Sequence, residues 1–189
     1  MRVFLLVLVL IFSLQTLTNA EDINKFEING IKVSDSLLDH FTKEKISKNI
    51  KHINYEGTNK KFTSVDIYNF SNVYEFLQFH FKTNDKKYQI YSIDGIFSWN
   101  KSSKVCNAER QKINNDISNT FSNLKKEEVL NGDMASKRGF MDATEYYFPN
   151  GDFIQITCYK YKDQFKDYTN HGRVAIVRKE LNDWLISIK

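Results

Sequence analysis

Proline is almost absent from this chain: Pro149 is the only one, and seven glycines make up the rest of its chain breakers. No Pro/Gly-rich or low-complexity stretch divides the sequence, so residues 21–189 are expected to form a single domain, long enough to bury a core. A dominant charge is lacking too. Lys and Arg number 27 against 23 Asp and Glu, a net charge of +4, which is too small to imply a nucleic-acid partner without a localised patch. The linear signatures of common catalysts are missing: G-x-S-x-G, S-x-x-K, the P-loop and G-x-G-x-x-G do not occur, and no cofactor is expected. The four histidines, His40, His52, His80 and His171, form no i, i+4 pair and no H-E-x-x-H, so no metal is expected either. Asn131-Gly132-Asp133 and Asn150-Gly151-Asp152 carry calcium-friendly oxygens but fall short of a calcium loop. These absences do not exclude an enzyme, because glycosidases and other hydrolases assemble their carboxylates from distant elements.

What is present begins at the amino terminus. Arg2 precedes an almost unbroken apolar run from Val3 to Leu14, and Thr18-Asn19-Ala20 offers small residues before Glu21, the layout of a cleaved export signal over residues 1–20. A membrane-spanning helix needs roughly 20 apolar residues, and Ser13, Gln15, Thr16 and Thr18 interrupt this run. Beyond Glu21 the apolar stretches are strand-sized, so no membrane span is expected after cleavage. A periplasmic or secreted location follows.

Two cysteines, Cys106 and Cys158, are the whole complement, and an even count in an exported chain favours a disulfide. Cys106 shares a helical face with Ile113 and Ile117, while Cys158 alternates with Ile154 and Ile156 on a strand. A bridge would close a loop of about 53 residues, worth roughly 4 kcal/mol in the chain-entropy account. Redox chemistry is disfavoured because there is no C-x-x-C.

Ser34 or Asp35 can cap a short helix holding Leu37, Leu38 and Phe41, and Thr42 can start another through Ile46. Strands are expected over 62–70, 73–82 and 88–99, with Gly95 marking a bulge or bend. A helix over about 105–124, a polar stretch over 125–139 whose end looks mobile, and a hairpin around Pro149-Asn150-Gly151 follow. A strand over 173–178 precedes a last helix carrying Leu181, Trp184, Leu185 and Ile188 on one face. The expected fold is α+β: a mainly antiparallel sheet of about six strands in βββα-βββα order. Two long amphipathic helices on one face and short N-terminal helices complete it.

If the aliphatic positions face the helices, the other face gathers Tyr68, Phe70, Tyr74, Phe76, Phe153, Tyr159 and Tyr161. Such a face is either a second core layer or a platform that stacks on a ligand, with Lys82, Lys160 and Lys162 at its rim. His80, between Phe79 and Phe81, is the best single histidine candidate, although no neighbour in sequence sets its pKa. The candidate ligand-binding residues are therefore Tyr74, Phe76, His80, Tyr159 and Tyr161. Sequons occur at Asn69-Phe70-Ser71 and Asn100-Lys101-Ser102 and matter only in a glycosylating host.

Asn29-Gly30-Ile31, Asp35-Ser36-Leu37-Leu38-Asp39 with Phe41, Asn150-Gly151-Asp152 and the Ile154, Ile156, Cys158 alternation resemble small uncharacterised exported proteins of AT-rich bacterial genomes. Val33-Ser34 departs from the resemblance, standing where a glycine is expected. The resemblance implies a bacterial periplasmic setting and no reaction. The expected function is a non-enzymatic periplasmic domain that binds a small ligand, an envelope component or a partner protein. The alternative is a cell-envelope hydrolase whose carboxylates or His80 lie in a cleft between segments 125–142 and 162–172.

Overall fold

The computed structural model describes residues 22–51, 60–99, 103–134, 137–165 and 168–188. The expected export signal, His52 and the second sequon lie outside these residues. Two 3-10 turns, Ile23–Lys25 and Leu37–Asp39, and helix α1 (Lys43–Lys48) lead into β1 (Ile50–Lys51), β2 (Phe62–Tyr68), β3 (Phe76–Lys82) and β4 (Ile90–Ser98). Helix α2 (Ser103–Thr120) follows, then β5 (Lys125–Asp133), β6 (Gly139–Tyr147), β7 (Phe153–Tyr161), β8 (His171–Val177) and α3 (Lys179–Ser187).

All eight strands join one antiparallel sheet in the order β1-β2-β3-β4-β8-β7-β6-β5. The chain runs four strands and a helix twice, and the sheet order is a palindrome about the β4–β8 pair. This overturns the expectation of about six strands and two long helices on one face. Among the described residues there are three helices, of which only α2, at 18 residues, is long. The added strands are β1 and β5, one at each edge, and neither carries the apolar alternation that marks a strand in sequence.

The two later helices lie on opposite faces. Ile117 of α2 packs with Ile154, Ile156, Val174 and Ile176, whereas Leu181 and Trp184 of α3 pack with Phe62, Ala175 and Val177. Successive residues of a strand point to opposite faces, so Val174/Ile176 and Ala175/Val177 separate the two layers. The N-terminal segment shares the α2 face: Ile28, Ile31, Val33, Leu37 and Ile46 join Val65, Ile67, Leu77 and Phe79 in the larger core. It is pinned by Ser36, whose hydroxyl donates to the Lys87 carbonyl at 2.6 Å, and by backbone bonds from Ser34 to Ile90 and from Leu37 to Tyr88. Ser36 is the cap of this turn, one residue beyond Asp35, while Thr42 caps α1 as its sequence suggests.

Cys106, in the first turns of α2, forms a disulfide with Cys158 of β7 across a Cα–Cα distance of 6.0 Å. Trp99 and Phe97 pack against it. The β6–β7 turn forms where expected, with Gly151 at φ 87°, a conformation that favours glycine. Gly95, expected at a bulge or bend, forms no bulge and sits in unbroken register between Leu77 and Val174. The register shift falls instead between His80 and Phe81. Gly95 serves a close approach: a Cβ there would meet the Tyr74 ring at 2.5 Å. No helix among the described residues is long and apolar enough to cross a membrane.

Candidate functional site

The α3 face is only partly covered. The stripe of α3 covers Phe62, Tyr91, Phe153, Ala175 and Val177, toward one end of the strands. At the other end the same face is open, and antiparallel register brings four strand ends together there: Phe76 pairs with Ile96, Ile96 with Arg173, Ser98 with His171, and His171 with Tyr159. Because residues two apart share a face, Phe76 and Gln78, Ile96 and Ser98, His171 and Arg173, and Tyr159 and Tyr161 all project to this side. Glu75 closes one flank, and Tyr168 and Thr169 of the β7–β8 loop close another, enclosing an open groove of ≈ 410 Å³. A second depression of ≈ 460 Å³ adjoins it, sharing Tyr161, Tyr168 and Thr169 and adding Trp99, Lys162, Asp163 and Phe165.

Rings dominate the wall. Tyr161 stacks on Tyr168 with centroids 5.1 Å apart and planes 20° apart, and Tyr159 lies 4.8 Å from His171. Arg138 sits over the Tyr168 ring at 4.8 Å and donates to its hydroxyl, a cation–π contact that holds the loop against the hairpin. Burial, then the neighbouring Tyr159 and Tyr168, raise the Tyr161 phenol above its ordinary value, so it stays a protonated donor. Burial lowers His171, and its Nδ1 lies 3.0 Å from the Thr169 carbonyl, which suits a neutral ring donating from that nitrogen.

Beneath the groove a polar band crosses the sheet. Arg173 donates to Asp94 at 2.9 Å, Ser92 donates to the same oxygen at 3.2 Å, and Gln78 donates to Asp66 at 2.8 Å. Asp94 is 0 % exposed, whereas the Arg173 side chain is 28 % exposed and lines the groove. Burial alone would lower the Arg173 guanidinium, but Asp94 and a hydrogen bond to Tyr159 outweigh it and raise it. His80 Nδ1 stands 3.5 Å from the other Asp94 oxygen, and neither atom has a hydrogen-bond partner. Burial depresses His80, against the pull of Asp94, so the ring is neutral at neutral pH.

Of the residues singled out from the sequence, Phe76, Tyr159 and Tyr161 meet in the groove. His80 is on the same face but only 8 % exposed, behind the floor. Tyr74 is elsewhere: β3 begins at Phe76, not at residue 73, and Tyr74 reaches over Gly95 to pack, like Phe70, against the larger core on the α2 face. Phe153 is under α3. Glu75, Gln78, Ser98, Tyr168, Thr169, His171 and Arg173 were not singled out in sequence. His171 and Arg173 alternate with Val174 and Ile176, which is the one sequence signal that sets them opposite the aliphatic face. Of the two segments expected to frame one cleft, 162–172 borders the groove, whereas 125–142, in the β5–β6 hairpin, lines a separate, smaller depression through Asn131, Phe140, Met141 and Asp142. No group of His, Cys, Asp and Glu suited to a metal occurs among the described residues.

Fold and groove together define an open antiparallel-sheet protein with one face layered by α2 and the N-terminal segment and the other carrying a mixed aromatic and polar cleft. No protein-family model, curated protein or solved structure matches the chain.

Proposed function

We propose that this protein is a non-catalytic binding domain of the bacterial cell envelope, exported by residues 1–20 and working in the periplasm or outside the cell. The observation that carries the reading is the meeting of Phe76, Tyr159, Tyr161, Tyr168 and His171 in one open groove with hydrogen-bonding groups from Gln78, Thr169 and Arg173. Aromatic faces with a few placed polar groups are the usual make-up of a ligand site. The disulfide fits an oxidising compartment. The alternative, an envelope hydrolase, would draw on the His80–Asp94 pair, and the burial of both argues against it. Glu75, the carboxylate that does line the groove, accepts a hydrogen bond from Ser98 and has no second carboxylate facing it among the lining residues.

The test is a ligand screen read by the aromatic NMR signals of Tyr159, Tyr161 and His171. Binders are expected to move these signals, and Tyr161→Ala is expected to abolish the response. Hits that move only residues of the α2 face would defeat the reading. Protein recovered from its native host is expected to begin at Glu21, and an intact residue 1–20 segment in the mature mass would defeat the export proposal.

A further inference from the structure

Resting on the binding reading above, we propose that the groove takes a neutral oligosaccharide. Four observations select this class. First, the charges in the groove are answered from within: Arg173 is paired with Asp94, and Glu75 is bonded by Ser98. In the adjoining depression Lys162 donates to the Lys137 carbonyl and lies over the Phe140 ring. A nucleic-acid strand or an acidic polymer needs a run of unanswered cations along its path, and the one Lys or Arg among the groove's lining residues, Arg173, is paired.

Second, the groove lies over the middle of the sheet, where β4, β8 and β7 are each paired on both sides. Their backbone groups are spent, so a peptide cannot add as a strand there. Third, the cavity is open and its lining mixes rings with Gln78, Ser98 and Thr169, which is unsuited to a lipid chain that seeks a closed apolar pocket. Fourth, the two depressions adjoin, sharing Tyr161, Tyr168 and Thr169 as lining, so a ligand longer than one ring that crosses these residues meets both.

A pyranose chain matches what remains. Its C–H faces lie on aromatic rings, and its edge hydroxyls both donate and accept. The tyrosine hydroxyls, the Gln78 amide, the Thr169 hydroxyl and the Glu75 carboxylate supply both kinds of partner. Tyr168, 42 % exposed at the junction of the two depressions, is the most accessible of these side chains, and with Tyr161 stacked on its ring and Arg138 over it the contact it offers is through its edge.

The experiment titrates the full-length mature protein, by calorimetry and by the Tyr159, Tyr161 and His171 NMR signals, with N-acetylglucosamine, β-glucose and α-glucose tetramers. A heparin-derived tetrasaccharide and a thymidine oligonucleotide serve as the charged probes. At least one neutral tetramer is expected to move the groove signals with an affinity that added salt leaves unchanged, since screening acts only on charge. Tyr168→Ala, at an exposed position, is expected to weaken it about tenfold, the size of one aromatic contact, and Tyr74→Phe on the far face is expected to leave it unaltered. Groove signals moved only by the charged probes, with affinity lost in salt, would overturn the glycan assignment and leave the binding groove standing. Silence from every probe would overturn both. A neutral tetramer that binds Tyr168→Ala as tightly as the unaltered protein would place the sugar outside the groove and overturn the assignment.

Discussion

At the scale of single residues, the most consequential group is Asp94, a carboxylate with no exposure at the centre of the sheet. Its charge is tolerable because Arg173 and Ser92 both bond it. Removing one partner of such a pair leaves the other charge stranded, at a cost of about 3–5 kcal/mol, while replacing both by apolar groups can be nearly neutral. Asp94→Ala is therefore expected to lose about 3 kcal/mol in urea unfolding, discounted to the lower end because Arg173 keeps contact with water. Asp94→Ala with Arg173→Met is expected to regain most of it. A double variant no more stable than the single one would show that the pair is not the source of the loss. His80, on the same carboxylate, sets a pH dependence. Its folded pKa lies below the ordinary 6.5, so the unfolded chain binds more protons near and below that value. The protein's stability is then complete above 6.5 and declines as pH falls through the folded value. His171 shifts the same way. The melting temperature is expected to fall between about pH 7.5 and pH 5, less steeply in His80→Asn. A melting temperature that rises on acidification would mean that attraction to Asp94, not burial, governs His80.

At the scale of elements, α2 and β5 stand at opposite ends of legibility. The apolar spacing of Ile113, Ile117 and Phe121 announces α2 and its buried face, and Ile117 and Phe121 do enter the core. Residues Lys125–Asp133 announce nothing: nearly every one is exposed, and they form a strand because β6 offers an edge to pair with. Pairing is a tertiary decision, and an edge strand dressed in Lys and Glu also keeps other chains from adding to it. The same limit hid the groove. Alternation located Phe76, Tyr159 and Tyr161 on a face, but only the sheet order puts β3, β4, β8 and β7 side by side and so recruits Gln78, His171 and Arg173. Tyr74 was misplaced because the alternation of β3 continues by chance through the turn before it, and the space over Gly95 that receives the ring has no trace in local sequence. The contrast between the two elements is measurable. Ile117→Ala is expected to cost about 3 kcal/mol, whereas Leu130→Lys, at a position 63 % exposed, should stay within about 0.5 kcal/mol. A large loss from Leu130→Lys would mean that β5 is covered by something other than solvent.

At the scale of the whole molecule, the strand order mirrors itself about β4 and β8 but the layers do not. The helix that ends the first four strands crosses to cover β7, and the helix that ends the second covers β2 and β4 from the other side. The halves are thus interlocked through their helices, and the Cys106–Cys158 bridge fastens one of these crossings, with a sequence separation of 52 that spans β5 and β6. Its other role is positional. Cys158 precedes Tyr159, and Trp99, packed on the bridge, also lines the second depression, so the covalent tie and the groove share a boundary. The chain-entropy account puts the bridge at roughly 4 kcal/mol, and the small buried sulfurs leave little cavity when replaced by alanine. Cys106→Ala with Cys158→Ala is expected to lower the urea midpoint by that stability while raising the m-value, because an unbridged unfolded chain exposes more surface. Should the m-value hold constant and stability drop by less than about 1 kcal/mol, the unfolded chain would already be held compact without the bridge. If both changes occur as expected, the bridge acts on the unfolded ensemble, and the helix-to-sheet crossing it fastens is held in the native state by Ile117 and its neighbours together with the bonds that Asn107, Arg110 and Asn114 donate to Asp142 and Thr144 of β6.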